Sequence, residues 1–167
     1  EVSESIFLGY SNKAHYGYVG NSYIGEWVNL GAGTTTSNLK NTYGTISVVQ
    51  NDTKVETAEQ FLGTIFGDHV KTGIGTLLNA GSHIGFGSHI FGPTVHPKSV
   101  FHFSWGANGK YKPFKLDKFK ETAERMSKRR DVLLHQDEYD LISQFYDTVH
   151  PTVSVKETVP KASKHGK

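Results

Sequence analysis

Between positions 66 and 95 the chain repeats itself every six residues. Split at that interval, FGDHVK TGIGTL LNAGSH IGFGSH IFGPTV places Phe66, Thr72, Leu78, Ile84 and Ile90 first, and Val70, Thr76, Ser82, Ser88 and Thr94 fifth. A larger and a smaller side chain thus recur at fixed phase. A period of six fits neither the 3.6 of an amphipathic helix nor the two of a long strand; it predicts a hexapeptide β-helix, in which every six residues make one short strand and one corner. Three faces close a coil, so residues eighteen apart stack at about 4.8 Å, and Thr72 is expected over Ile90. A narrow interior accounts for the small fifth place. The residues alone leave open a glycine-rich strand meander that carries five matching sixes.

A second tract opens the chain. Within 1–37, Val19, Ile24, Leu30 and Thr36 take first places and Val28 and Thr34 fifth places, with one five-residue step after Val19. The period breaks over 38–65, where the β-branched runs 45–49 and 54–57 flank Gln50-Asn51-Asp52-Thr53 and predict a projecting hairpin arm at about 41–60. Such an arm could lie over a neighbouring subunit or a ligand, or be a plain surface insertion. After Val95 the period stops at His96-Pro97-Lys98, and FHFSWGANGKYKPFK, residues 101–115, reads as a loop around the end of the prism. Leu116, Phe119, Ala123 and Met126 step by three, four and three, predicting a helix over 116–130. A second is expected over about 136–148, with Leu141, Ile142 and Phe145 inward. The pair is expected to cap the last coil, whose open backbone edge would otherwise recruit another chain. The reading is a mainly β chain: β-helix over 1–100, loop and helical cap over 101–150, and a Lys/Thr/Ser/Pro-rich tail over 151–167 expected to be disordered.

Composition narrows the function classes. Eighteen glycines in 167 residues exceed the usual share of about 7%, and the excess lies in the repeat, where corners need positive φ. A net charge of +2 does not suggest a general nucleic-acid surface. The absence of Cys removes disulfides, thiol nucleophiles and Cys metal sites. No apolar run approaches membrane-spanning length and no leader pattern is present, so a cytoplasmic protein without membrane contact is expected. The chain opens at Glu1 without Met, and Ile6 and Leu8 already look like interior residues, as if it were a piece of something longer.

The polar residues that a prism does not need cluster in 13–38. Lys13-Ala14-His15, Tyr18-Val19-Gly20, Ile24-Gly25, the run VNLGAGT from Val28 to Thr34, and Thr36-Ser37-Asn38 resemble the acetyltransferase half of the bacterial bifunctional enzyme N-acetylglucosamine-1-phosphate uridyltransferase/glucosamine-1-phosphate N-acetyltransferase. The stretch GDHVKTGIGTLLNAGSHIGFGSHIFG and FSWG at 103–106 look more like an alternate form found in some bacteria, so the match spans about 1–106.

The resemblance implies a left-handed parallel β-helix, an exception to the right-handed crossover rule. It also implies a homotrimer with active sites between prisms, acetyl-CoA lying along the coils, and an N-terminal nucleotidyltransferase domain outside this chain. His15 takes the family's general-base position, and a histidine near neutral pKa suits removal of a proton from an amino sugar. Tyr18 and Asn29 match acceptor-binding positions, and Asn38 one near the acetyl group; each could instead be a ladder or turn residue. Ala32 to Thr34 is the candidate backbone donor to the thioester oxyanion, and Ala32, Ile74 and Gly92 fall where the family meets acetyl-CoA. Lys110, Lys112 and Lys115 supply positive charge for the CoA phosphates, or merely a solvated loop.

Two departures stand out. Positions where the family carries phosphate-binding lysines are Ser3 and Gly44 here, each a lost charge-assisted contact of about 1.5 to 3 kcal/mol; Lys40 or Lys54 could substitute. These losses keep a rival reading alive, a non-catalytic trimerisation or regulatory module of a sugar nucleotidyltransferase, along with an acetyltransferase for another amino sugar. His83 and His89, six apart with no carboxylate at ligand spacing, are not expected to hold a metal.

Overall fold

The computed structural model describes residues 1–50 and 53–151, and its chain winds in coils of short strands. The first coil holds β1 (Val2–Ser3) and β2 (Ile6–Phe7) and completes its third side at Asn12, bridged to Asn29. The second holds β3 (Val19–Gly20), β4 (Tyr23–Ile24) and β5 (Asn29–Leu30). The third begins with β6 (Thr35–Thr36), is interrupted by the antiparallel pair β7 (Ser47–Gln50) and β8 (Thr53–Glu56), and resumes with β9 (Ile65–Phe66) and β10 (Lys71–Thr72). The fourth holds β11 (Leu77–Leu78), β12 (His83–Ile84) and β13 (His89–Phe91). The fifth runs from Val95 through β14 (Ser99–Val100) to β15 (Ser104–Ala107).

Within these coils a strand pairs in parallel only with the coils above and below, which makes three faces. Face one carries β1, β3, β6, β11 and Val95, with β6 joined to β3's side by Thr36 N–H donating to Tyr18 O at 2.8 Å. Face two is β2-β4-β9-β12-β14 and face three β5-β10-β13-β15. Thr72 lies over Ile90 as the six-residue period requires.

The coil does not stop where the period stops. Ile84 stacks on Val100, sixteen residues on, and Ile90 on Gly106. Residues 101–115 are therefore no simple loop: they hold β15 and β16 (Lys110–Pro113), which pairs antiparallel with β15 and covers the last edge of face three. A corner can lose two residues while the backbone keeps its ladder, as Gly85 N–H to Val100 O at 2.8 Å shows. Counting in sixes cannot see that.

Val19, Ile24, Leu30, Phe66, Leu78, Ile84 and Ile90 fill the interior, each worth about 1.5–3 kcal/mol of burial. The small fifth places Val28, Thr34, Val70, Thr76, Ser82 and Ser88 are buried, whereas Thr94, where the period ends, is exposed; Ser82 Oγ donates to Asn79 O at 2.7 Å and Ser88 Oγ to Phe101 O at 2.7 Å. In the first coil Phe7, not Ile6, lies over Ile24; Ile6 is exposed. The single-residue offset reverses the face, as it must in any strand.

Outside the prism, the corner between faces two and three carries a column of rings. Tyr10 stacks on Trp27 at 4.1 Å, Trp27 on His69 at 6.3 Å, His69 meets Phe86 at 5.4 Å, and Phe86 meets Phe103 at 5.2 Å. Helices α1 (Leu116–Lys128) and α2 (Gln136–Val149) lie against that column, Phe103 of the fifth coil included, while β16 pairs with the last edge of face three. Phe119 of α1 is 2% exposed and lies 5.4 Å from His69 and 5.1 Å from Phe103, while Phe145 of α2 lies 5.5 Å from Phe86. The segment runs lengthwise: Leu116 packs in the same cluster as Phe103 and Phe114, and Met126, Arg129 and Arg130 reach Tyr10 and Trp27. Thirteen residues at about 1.5 Å each cover roughly four coil spacings.

Gly87 makes the docking possible. Its φ is +67°, and a Cβ there would stand 2.9 Å from both Phe103 and Phe119. Rows of apolar rings facing water would be costly, and the helices bury them. Leu141, expected inward, is 68% exposed; Ile142, Phe145, Tyr146 and Val149 form the docking face instead. The tail beyond Pro151 lies outside the described residues.

Candidate active site

The corner between faces three and one is built differently, from backbone and small residues. Gly33 N–H donates to Tyr16 O and Gly75 N–H to Ala32 O, both at 2.8 Å, while Gly75 lies beneath Pro93. Loop 13–17, Ala32, Ile74 and Gly92 therefore stand above one another in that order. Close approach is essential at the foot: Gly17, with φ +121°, would place a Cβ 2.2 Å from Thr34 O.

His15 is exposed at the foot of this corner. Its loop is tied down by Lys13, whose Nζ donates to the carbonyls of His15 and, at 2.8 Å, Tyr16. Partial burial holds the Lys13 ammonium below its ordinary pKa. Of the three corner N–H groups in 32–34, Gly33 donates to Tyr16 O and Thr34 to Gly31 O at 3.1 Å. Ala32 N–H has no partner among the described residues. Ile74, 74% exposed, leaves an apolar surface further along.

Tyr18 and Asn38 are brought together and Asn29 is not. Asn38 Nδ2 donates to Tyr18 Oη at 2.9 Å and to Asn21 Oδ1 at 2.7 Å, bridging face one. Asn29 projects from face three, where Asn12 Nδ2 donates to its Oδ1 at 2.8 Å. In chain order these two groups flank the His15 loop, because Asn12 leads into it and Tyr18 leaves it.

The proposed substitutes for the missing cations are engaged elsewhere. Lys40 Nζ donates to Thr45 O, and Lys54 pairs with Glu56 at 2.5 Å. Ser3 sits in β1 beside Gly20, and Gly44 faces open space. Lys112 and Lys115 line a cleft of about 420 Å³ with Trp105, Phe114, Lys118 and Arg125. His83 and His89 lie on faces two and three, and no group of three His, Asp or Glu that could hold a metal occurs among the described residues.

Sequence reasoning missed an outward column on face three, where Lys71 lies over Asn29, His89 over Lys71 and Trp105 over His89. Burial lowers Lys71 to about 7, with Nζ donating to Trp27 O at 2.5 Å and His69 O at 3.2 Å. Burial, with smaller contributions from the charge of Lys71, lowers His89 to about 4 and His69 to about 3. Polar residues at sixth places eighteen residues apart, Lys71 and His89, were the available signal. His96, 1% exposed, was missed as well; its Nδ1 lies 2.5 Å from Tyr111 Oη and its Nε2 has no partner among the described residues.

Three parallel faces on a six-residue repeat define a hexapeptide-repeat β-helix. The sequence relatives of this chain include a bifunctional sugar-1-phosphate nucleotidylyltransferase/acetyltransferase and several bifunctional proteins named GlmU. It is 35% identical over 100 residues to the bifunctional sugar-1-phosphate nucleotidylyltransferase/acetyltransferase of Sulfurisphaera tokodaii, covering 60% of this chain and 25% of that protein. It is 39% identical over 85 residues to the bifunctional protein GlmU of Methanocaldococcus jannaschii (51% and 21%), and 33% over 100 residues to GlmU of Buchnera aphidicola (60% and 18%). The chain thus spans a quarter or less of the length of these relatives. No family model matches it. Among solved structures it is similar to a hexapeptide-repeat containing acetyltransferase from Vibrio cholerae, at 13% identity and TM-score 0.42, over 69% of this chain and 73% of that one. A mutant of the N-acyltransferase AntD from Bacillus cereus, solved with dTDP and coenzyme A, gives 13% and 0.41 over 76% and 79%.

Proposed function

We propose that this chain is the acetyltransferase part of a bifunctional sugar-1-phosphate enzyme, wound left-handed and working as a homotrimer. Its substrates are acetyl-CoA and a hexosamine 1-phosphate, with glucosamine 1-phosphate as the first to test. A nucleotidyltransferase domain outside this sequence would convert the product to UDP-N-acetylglucosamine in the cytoplasm. One observation carries the reading: His15 stands at the foot of a corner that aligns Ala32, Ile74 and Gly92, the positions matched to acetyl-CoA binding.

His15 takes a proton from the acceptor ammonium, and the freed nitrogen attacks the thioester carbonyl. Ala32 N–H, the unoccupied donor of its corner, stabilises the oxyanion. As the intermediate collapses, the new N–C bond stays, the C–S bond breaks, the imidazolium gives its proton to the leaving thiolate, and the second proton on the attacking nitrogen is released to water, leaving a neutral amide and a thiol. Tyr18 and Asn29 orient the sugar phosphate, and Asn38, bonded to Tyr18, stands near the acetyl group. Ser3, Gly44 and the engagement of Lys40 and Lys54 favour the second reading, a trimerisation module that has lost acceptor binding.

Release of CoA from acetyl-CoA, measured with the intact chain and His15→Ala, decides between them. Loss of general-base catalysis lowers kcat by about 10² to 10⁴ while the trimer persists. A folded trimer with no turnover over a panel of amino sugars and their phosphates supports the non-catalytic module.

A further inference from the structure

Where the end of α1 meets face three, a cleft of about 210 Å³ is lined by Asn12, Asn29, Lys71, Arg129 and Arg130, floored by Trp27, with Tyr10 and Met126 at its sides. Its charge is one-sided. Three of the lining side chains are basic and none is acidic. Neither arginine has an ion pair among the described residues, whereas the neighbouring Lys128 is held by Glu124 at 2.6 Å. Among the described residues Lys71 donates only to the carbonyls of Trp27 and His69.

The amides point the same way. Asn12 Nδ2 donates to Asn29 Oδ1, which leaves the Asn29 Nδ2 group free as a donor toward the cleft. Two forked guanidiniums and an amide present donors only, and the Lys71 amine, lowered to about 7 by burial, takes up its charge beside an anion; the set suits a multiply charged oxyanion with several acceptor oxygens. The carbonyl end of α1 works against an anion, so the side chains must supply the attraction. At about 30 Å³ per water the cleft has room for roughly seven waters, enough for a tetrahedral phosphate and part of what it is attached to.

We infer that this cleft binds the phosphate of a phosphorylated ligand, through Arg129, Arg130 and Lys71 with Asn29 beside them. No stretch of sequence shows it, because Arg129 and Arg130 lie some hundred residues from Asn29 and meet it only when α1 lies along the prism. It shares Asn29 with the proposed acetyltransferase site and, as the seat of the acceptor's phosphate, rests on that reading; as a phosphate site it does not. The phosphate cations absent at Ser3 and Gly44 would then be replaced from the helix.

Trp27 fluorescence in a Trp105→Phe background reports occupancy without any turnover. The intact chain is titrated with inorganic phosphate and with glucosamine 1-phosphate, alongside Arg129→Gln/Arg130→Gln and, as control, Lys128→Gln. Saturable, salt-sensitive binding that falls at least about tenfold in the double variant and is unchanged in the control is the expected result. Tighter binding of the sugar phosphate than of phosphate identifies the acceptor as the source; equal binding leaves a phosphate site alone. Equal affinity in the double variant and the parent, or no binding of either ligand, overturns the inference. Both outcomes are independent of the His15→Ala turnover result, so the two proposals fail separately.

Discussion

Acidifying the protein with and without His69 tests how the ring column is packed. His69 is 7% exposed between Trp27, Phe86 and Phe119, and burial holds its pKa at about 3 against an ordinary 6.5. The folded pKa is depressed, so the native state prefers the neutral ring. Stability from this preference is fully present above pH 6.5 and drains away as pH falls toward 3, because the unfolded chain takes up the proton first. Between pH 7.5 and 4.5 the difference amounts to about two pKa units, or roughly 2–3 kcal/mol. His69→Phe removes the titration while keeping a ring. Its φ of +62° is no obstacle, since Trp27 and Phe103 adopt +58° and +49° at neighbouring turns of the same corner. Urea unfolding at both pH values supplies the numbers. The parent is expected to lose roughly 2–3 kcal/mol more than the variant on acidification, with other groups, His89 among them, cancelling in the comparison. Equal losses would refute a buried, neutral His69 and with it the lengthwise seat of α1.

Other consequences are direct. Gly87→Ala places a Cβ against Phe103 and Phe119 at positive φ, and should lower stability by about 1–3 kcal/mol and raise protease cleavage in 116–149. Asn38→Ala removes both hydrogen bonds that the Asn38 amide donates, to Tyr18 and Asn21; steady-state kinetics should show a raised acceptor KM, with a stability change of only about 1 kcal/mol. Leu141→Ser, on the water side of α2, should shift unfolding by less than about 0.5 kcal/mol, whereas Ile142→Ala should cost about 2–5.

The coil was readable because an interior that admits one large and one small side chain per face prints itself on the sequence, as Thr72 over Ile90 shows. Its last turn was not, because Ile84 and Val100 keep their pairing with two residues fewer between them. The helices were placed along the chain, but their lengthwise seat on the ring column was not foreseen. Tyr10, Trp27, His69, Phe86 and Phe103 form a line only after the coils and the insertion are in register, so no window of sequence reveals the surface that α1 covers. At the site, the alignment of Ala32, Ile74 and Gly92 follows from register alone. The free N–H of Ala32 depends on which neighbours bond, and the burial of Lys71 depends on a helix packed from the far end of the chain; neither is visible locally.

A crystal structure of the intact chain with coenzyme A puts the central claim to its most direct test. The pantetheine arm should run past Gly92, Ile74 and Ala32, in that order, and end with its sulfur beside the His15 imidazole. Coenzyme A bound against another face, or along this corner with its sulfur at the Gly92 end, would contradict the account.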